Sequence, residues 1–526
     1  MTAGPPVGGR HPAVWGDPAQ APTAQEREGL AQLLRARFPD AALAWRDPVD
    51  WRTVALSPAR LRAPHGLREV VADDRATRLL HARGRSFTDL ARARAGDYGS
   101  PPDLVATPRS RAEVAQVLEW CADAGATCIP FGGGTSVVGG VTPPAGDRPV
   151  VTLQTRALDA LVDVDVQSQA ACLQGGATGP VVEQQLKPHG LTLRFFPQSF
   201  ELATLGGWIA TRAGGHFATG PTHIDDLVEA VTAITPQGRW SSIRLPASGA
   251  GPSPDRLLLG SEGILGVVTD AWVRVQPVPQ HRARRTVRFA SFAEGAGAVR
   301  ALAQSGLQPA GCRLLDPIEG LLNGAGDGTA AVLLLAFESA WRPVDADLRL
   351  ALELCRDAGG TPDDAADAGA GEAWRSSFLR APYLRDALIG LGMIVETFET
   401  ATTWDRFDRL VEHVADTTQA AVTAMCGDGI VTCRITHAYP DGAAPYFTVI
   451  APGRRGEEPA QWAQIKAAAT GALSAAGGTV THHHAVGRDH RTWYDHQRPE
   501  LFARALRAAK VAVDPDGIMN PGVLID

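Results

Sequence analysis

The run Pro130-Phe131-Gly132-Gly133-Gly134-Thr135-Ser136-Val137-Val138-Gly139-Gly140 constrains this chain more than any other stretch. It follows a short apolar segment, Thr127-Cys128-Ile129, that reads as a strand. Glycine tolerates positive φ and has no side chain, so such a loop can bring bare backbone N–H groups against a phosphate. No Gly-Lys-Ser/Thr follows, which excludes the nucleoside-triphosphate P-loop, and the glycine spacing differs from G-x-G-x-x-G. A glycine-rich turn by itself only turns the chain; a binding role needs partner segments elsewhere.

At 526 residues the chain is too long for a single core, and two domains, or three, are expected. A hydrophobic content of 44% with 20% charged residues is that of a soluble globular protein, and a net charge of −7 argues against a nucleic-acid partner. Lysine occurs only at Lys187, Lys466 and Lys510, which leaves little for Schiff-base chemistry. The seven cysteines are scattered with no C-x-x-C, so a reduced, cytoplasmic compartment is expected and neither zinc nor an iron–sulfur cluster is indicated. The Gly/Pro-rich first residues lack the apolar core of a secretion signal, and the terminal Val-Leu-Ile-Asp is not an S-K-L address. The longest apolar run, Ala387 to Val395, is too short to span a bilayer.

Residues 1–97 read as an N-terminal extension with a helix near 24–38 and no chemistry. Ser110 and Glu113 form a capping-box pattern ahead of Val114, Val117, Leu118 and Cys121 at helical spacing; this helix feeds the strand that ends in the glycine loop. Strands at 150–153 and 161–173 and a helix at 181–187 continue an α+β domain over residues 98–278. The Arg-rich stretch Gln280-His281-Arg282-Ala283-Arg284-Arg285 reads as a junction. Beyond it, strands at 286–290, 312–315 and 330–337 alternate with helices near 293–303 and 344–357, and two strands flank Tyr439-Pro440-Asp441-Gly442. That texture predicts a second α+β domain over residues 279–490, with residues 491–526 packing back on the first.

Four downstream segments match the glycine loop in kind. Pro197-Gln198-Ser199-Phe200-Glu201-Leu202-Ala203 leads into Thr204-Leu205-Gly206-Gly207, and Ala210-Thr211-Arg212-Ala213 follows. His223-Ile224-Asp225-Asp226 comes next, and Glu262-Gly263-Ile264-Leu265-Gly266-Val267-Val268 is the last. Each couples small residues, which permit close backbone approach, to groups that can bind phosphate, ribose and ring edges. In this order and spacing they resemble the FAD-binding domain of the vanillyl-alcohol-oxidase/PCMH flavoprotein superfamily. The resemblance implies a two-subdomain, PCMH-type FAD-binding domain carrying an α+β cap that holds the substrate. It also implies roles: Pro130, Phe131, Gly132, Gly133, Gly134, Thr135 and Ser136 on the FAD pyrophosphate, and the downstream segments along the nucleotide and isoalloxazine. No His or Cys lies within the loop, so the FAD is expected to be non-covalent.

In the second half, His482-His483-His484-Ala485-Val486-Gly487 follows Gly477-Gly478. On a strand His482 and His484 would share one face and His483 the other, so at most two converge unless the chain kinks, and a zinc site would lack its third and fourth ligands. Arg313 in Gly-Cys-Arg-Leu, Arg385 in Tyr-Leu-Arg-Asp, the segment Glu399 to Arg406 and Tyr446 in Ala-Pro-Tyr-Phe accompany it. From Asp73 onward, these features are similar to those of the alkyldihydroxyacetonephosphate synthase family of ether-lipid flavoenzymes. The resemblance implies that Tyr446 is catalytic and that His482, His483 and His484 belong to the active site, with no resident metal. It implies that Arg313 is needed for activity, that Arg385 meets the substrate, and that the protein is a homodimer with peripheral membrane contact. Two departures bear on the substrate. Ala485 stands where that family has Gly. Met519-Asn520-Pro521-Gly522 resembles instead the tail of FAD-linked D-lactate and glycolate dehydrogenases, whose Glu-His-Gly-Ile-Gly would fall on His483–Gly487 with His in place of Glu.

The implied reaction exchanges the acyl group of acyl-dihydroxyacetone phosphate for a long-chain fatty alcohol through an adduct at flavin N5, without net redox change. An imidazole titrating near ~6.5 suits the proton acceptor this needs, whereas a tyrosine near ~10 is a poor base unless Arg313 or a protonated histidine lowers it. Tyr446 is therefore expected to donate or relay a proton. Arg313 and Arg385 suit bidentate anion binding. An FAD-linked dehydrogenase or oxidase of a 2-hydroxy acid such as D-lactate or glycolate would use the same residue types, and a non-catalytic flavin-binding protein is the third reading.

Overall fold

Backbone pairing of its strands sorts the chain into three large sheets and one two-stranded pair. The computed structural model describes residues 10–363 and 370–526, with residues 370–377 and 379 described as backbone only. The first sheet has the order Val71–Ala72, Leu104–Ala106, Val150–Gln154, Thr127–Phe131, its last three strands parallel. These three are buried almost throughout, as parallel strands covered on both faces must be. The helix Arg111–Asp123 lays Val114, Val117, Leu118 and Cys121 into their core, as the spacing predicts. Ser110 caps it by accepting the Glu113 N–H at 3.1 Å. The reciprocal half of the capping box is absent, because the Glu113 carboxylate accepts instead from the Arg109 N–H.

The second sheet is antiparallel, in the order Leu161–Asp165, Ala170–Gln174, Val267–Arg274, Val228–Thr235, Gly238–Ser241. The apolar run at 161–173 is thus a hairpin. The C-terminal segment returns to both sheets: Cys128 bonds the backbone of Ile518 and Asn520, while Val523, Leu524 and Ile525 join the core of the second sheet.

The third sheet is antiparallel, in the order Thr361–Pro362, His281–Phe289, Ala331–Ser339, Gly311–Leu315, Ile430–Ala438, Gly442–Pro452, Met393–Glu399, with Thr402–Thr403 beside Gly442–Pro452. The arginine-rich stretch expected as a junction is the start of the strand His281–Phe289. Its charges are the exposed half of an alternating strand, where Arg282 and Arg284 face solvent, and charge hid the period of two. Helices Phe292–Gln304, Asp345–Asp357, Trp404–Cys426 and Glu458–Ala475 pack on one face of this sheet. The helix Ala24–Arg37, capped by a reciprocal Thr23–Glu26 box, packs Ala31 and Leu34 against Met393 and Val395 of the last strand.

Lys510, on the helix Glu500–Val513, holds the returning segment. Its buried ammonium donates to Asp514 Oδ2 at 2.6 Å and to the carbonyls of Ile264 and Met519 at 2.9 Å. Lys510→Met would leave Asp514, itself buried, without its counter-charge, and is expected to cost about 3–5 kcal/mol. The thermal unfolding midpoint of the purified protein checks this; an unchanged midpoint would refute the bracing role.

Candidate active site

The face of the third sheet opposite its helices is the wall of a cavity of about 590 Å³. On each of four strands every second residue reaches it: Arg313; Arg434 and Thr436; Tyr446, Thr448 and Ile450; Val395 and Thr397. The intervening residues, Cys312, Leu314, Cys433, Ile435, Phe447, Val449 and Phe398, belong to the helix-packed core. Register completes the arrangement, since Tyr446 is the direct cross-strand partner of both Arg434 and Glu399.

The glycine loop closes the other side of the cavity. A Cβ on Gly133 would lie 2.1 Å from the Leu202 carbonyl oxygen, and Gly134 has φ +68°, so only glycine fits this turn. The N–H groups of Gly133, Gly134, Thr135 and Ser136 donate to no described residue, which leaves a row of backbone donors for an anion. Trp208 Nε1 is likewise buried without a partner among the described residues, and Trp208 lines the cavity. A dinucleotide with a pyrophosphate and a polar ring edge suits this donor set.

Of the residues expected to hold the cofactor, Pro130 to Ser136, Pro197, Gln198, Ser199, Ala203, Gly206, Gly207, Ala210, Thr211, Ala213, Glu262, Gly263, Gly266, Val267 and Val268 line the cavity. Six do not. Phe200 packs over Gly179, Glu201 accepts from the Tyr383 hydroxyl, and Leu202 is buried beside Trp15 and Tyr383. Ile264 and Leu265 fill the core of the second sheet. Arg212, left-handed at φ +51°, directs its guanidinium to Asp225 at 2.8 Å on the outside. The Glu262 carboxylate accepts the N–H groups of Val486 and Gly487 at 2.8 Å, so it ties the histidine segment to the Glu262–Val268 segment; burial pushes it up to about 7.

The three histidines occupy a kinked loop rather than a strand. The buried Glu399 carboxylate accepts the backbone N–H of His482, His483 and His484 and the Thr481 hydroxyl. Burial alone would raise this acid; the adjacent imidazoles pull it well below the usual carboxylate range, as do its hydrogen-bond donors. Burial also depresses the imidazoles, His483 to about 3 and His484 to about 4, so both are neutral at pH 7. His483 and His484 line the cavity, whereas His482 lies behind them. Ala485 has φ +73°, a conformation natural to glycine, at a cost of roughly 1–2 kcal/mol for a residue with a Cβ.

Burial pushes Tyr446 above the ordinary phenol value, against the opposing pull of Arg434, whose guanidinium lies 3.9 Å from the ring centroid. The cation beside this tyrosine is thus Arg434, not the expected Arg313, and Arg434 is itself paired with buried Glu319. The phenol of Tyr446 therefore stays protonated at neutral pH. Arg313, lowered to about 9 mainly by burial, donates to the His216 carbonyl at 3.2 Å. Arg385 donates to the Arg85 carbonyl at 2.8 Å, and its buried Nε has no partner among the described residues.

Several residues around the site escaped the sequence reading. Arg434 and Thr436 required the strand register; Glu399 was marked only as the start of the segment running to Arg406, and its bonds to the histidine loop required the fold. His437 lies beside the histidine loop, and its donor atom is within 4.8 Å of those of His482 and His483, the third donor that the spacing did not offer. The helix Ala24–Arg37 contributes Leu30, Leu33 and Leu34 to the cavity, although the N-terminal extension showed no chemistry. Its leucine spacing marked an apolar face without marking what that face would cover.

Two family models match the chain: "FAD binding domain" over residues 102–244 and "FAD linked oxidases, C-terminal domain" over residues 278–524. An alkyldihydroxyacetonephosphate synthase of Dictyostelium discoideum is 29% identical, the match covering 87% of this chain and 79% of that protein. The glycolate oxidase subunit GlcD of Bacillus subtilis is 25% identical, covering 81% of this chain and 89% of its own. A solved alkyldihydroxyacetonephosphate synthase structure has the same fold, with a TM-score of 0.82 at 24% identity over 97% of this chain and 98% of that one. The chain therefore belongs to the FAD-linked oxidase family and is an FAD enzyme with alkyldihydroxyacetonephosphate synthase homologues.

Proposed function

We propose that this enzyme exchanges the acyl group of an acyl-dihydroxyacetone phosphate for a long-chain alcohol. The observation that carries this reading is the apolar extension of the cavity. From the histidines and Tyr446 it continues past Val395, Leu388 and Ile450 to Leu34 and Phe38 of the N-terminal segment. Leu33 and Leu322, at its border, are 71% and 48% exposed. A 2-hydroxy acid of a few carbons would need no such space, whereas a fatty chain would bury its methylenes there at about 0.8 kcal/mol each. Among the described residues no helix is long and apolar enough to cross a membrane, so a lipid substrate would be met from the surface.

FAD, held by the glycine loop and the segments opposite it, supplies an electron-accepting ring when bound. Arg313 and Arg385 both line the cavity and suit the substrate phosphate as forked donors. A cavity-facing histidine accepts the proton released next to the ketone. Tyr446, kept protonated, donates to the departing carboxylate. Neutral imidazoles and a buried phenol face the cavity, and beside Arg313 and Arg385 its charge is carried by Arg434, Glu319 and Glu399.

Incubation of the FAD-loaded enzyme with palmitoyl-dihydroxyacetone phosphate and hexadecanol is expected to yield ether product and free palmitate. Catalytic bleaching of the flavin by D-lactate or glycolate without air, and no ether, would favour the oxidoreductase relatives instead. Leu30→Trp, which narrows the apolar extension, should raise KM for the palmitoyl substrate roughly tenfold and leave a butyryl analogue unaffected. Equal effects on both would mean that the chain lies elsewhere. Tyr446→Phe should lower kcat by about 100-fold with the flavin spectrum intact; undiminished turnover would remove the tyrosine from the reaction.

A further inference from the structure

We propose that Nε2 of His483 is the atom that takes the substrate proton, and that His482 and His223 carry that proton out to solvent. The inference rests on the reading of this site as one that abstracts a proton, and it holds for either substrate class. It follows from hydrogen-bond logic alone, starting at the outer end. His223 Nδ1 is 3.1 Å from the Arg212 carbonyl oxygen, which can only accept, so Nδ1 carries the hydrogen. A neutral His223 then presents a lone pair at Nε2. His482 Nε2 lies 3.0 Å from it and must be protonated, which leaves the lone pair of His482 on Nδ1. His483 Nδ1 is 3.0 Å from that lone pair and must carry a hydrogen in turn. The remaining nitrogen, His483 Nε2, is left with a lone pair and no hydrogen-bond partner among the described residues, on a side chain that lines the cavity.

The neighbouring groups agree with this assignment. The Tyr439 hydroxyl, 2.8 Å from His482 Nε2, accepts from the same N–H and donates to Thr222 Oγ1 at 3.2 Å. Were it to donate to His482 instead, two lone pairs would face each other between His482 and His223. His437 stays outside the chain, because its nitrogens bond the Gly215 carbonyl and the Thr436 hydroxyl, each at 3.0 Å. His484 starts no alternative route, since its buried Nδ1 has no hydrogen-bond partner among the described residues and its near neighbour, Glu399 Oε1 at 3.6 Å, belongs to no chain of imidazoles.

Burial disfavours a charge on His482 and His483, so a proton received by His483 cannot rest there. As Nε2 takes the substrate proton, the Nδ1 hydrogen of His483 passes to His482 Nδ1, and the Nε2 hydrogen of His482 passes to His223 Nε2. One proton enters and one charge appears, on the half-buried His223; burial lowers this imidazole too, but Asp225, the Arg212 carbonyl and Asp226 oppose that. There it exchanges with water, and the reverse sequence, His223 Nε2 to His482 and His482 Nδ1 to His483, releases a proton from His483 Nε2 into the cavity and restores the tautomers.

Nitrogen-15 histidine labelling of the FAD-loaded wild-type enzyme reads the tautomers directly through two-bond nitrogen–proton couplings at pH 7.5. The expected result is hydrogen on Nδ1 of His223 and His483 and on Nε2 of His482. A hydrogen on Nε2 of His483, or tight zinc binding that abolishes the His482 Nε2–H signal, would overturn the relay. In the kinetic arm, His223→Phe should lower kcat roughly tenfold at unchanged KM and flavin spectrum, and added imidazole should restore it. Full kcat without imidazole would also overturn it. If the wild-type enzyme makes no ether from palmitoyl-dihydroxyacetone phosphate, the proposed substrate falls, while the tautomers still decide the relay.

Discussion

One buried carboxylate organises the chemical end of this molecule. Glu399 gathers the N–H groups of three successive histidines, a geometry that no strand or helix provides. Without an acceptor there, the amides of His482 and His483 would lack partners and that of His484 would keep only the Thr481 hydroxyl, and each unmet group costs about 1–3 kcal/mol. The kink also turns His483 and His484 toward the cavity and His482 behind them, so rings adjacent in sequence acquire different surroundings. Because Glu399 is the cross-strand neighbour of Tyr446, the same bond set fixes the histidines against the sheet that carries the tyrosine and Arg434.

The sheet itself divides labour by parity. Odd-and-even alternation sends one set of side chains into a helix-covered apolar core and the other into the cavity, and the two sets differ in chemistry. On the core side lie leucine, isoleucine, phenylalanine and cysteine. Glu396 also points to the helices and is neutralised by Lys466 at 2.9 Å. On the cavity side lie arginine, threonine and tyrosine at the polar end and valine and isoleucine farther out. A strand register therefore does here what a binding motif does in the glycine loop.

How much of this could be read from the residues alone depended on the range of the interaction. The glycine loop, the helix after Ser110 and most strands were legible because their determinants lie within a few residues of one another. The glycine loop and its partner segments marked the cofactor side, yet Phe200, Glu201, Leu202, Ile264 and Leu265 turn into protein and Arg212 turns outward, since a motif does not state which of its side chains face the ligand. Arg434 was invisible because its role comes from register with Tyr446 across a turn. His437 was invisible, and Glu399 was marked without its role, because both meet the histidine loop only after the chain has folded. The arginine-rich strand from His281 misled for the opposite reason: a strong local charge signal concealed an ordinary half-exposed strand.

The returning C-terminal segment has a bearing on how the enzyme is assembled. Asn520 donates to the carbonyls of Gly140 and Glu262 and lies 380 residues after the first of them. The glycine loop is therefore made early in synthesis and braced late, through contacts of very large sequence separation, which slow folding. Until that brace arrives the phosphate cradle has its glycines but not its backing. The phosphate cradle is thus completed by the last residues of the chain and not by the domain that bears the binding motif alone.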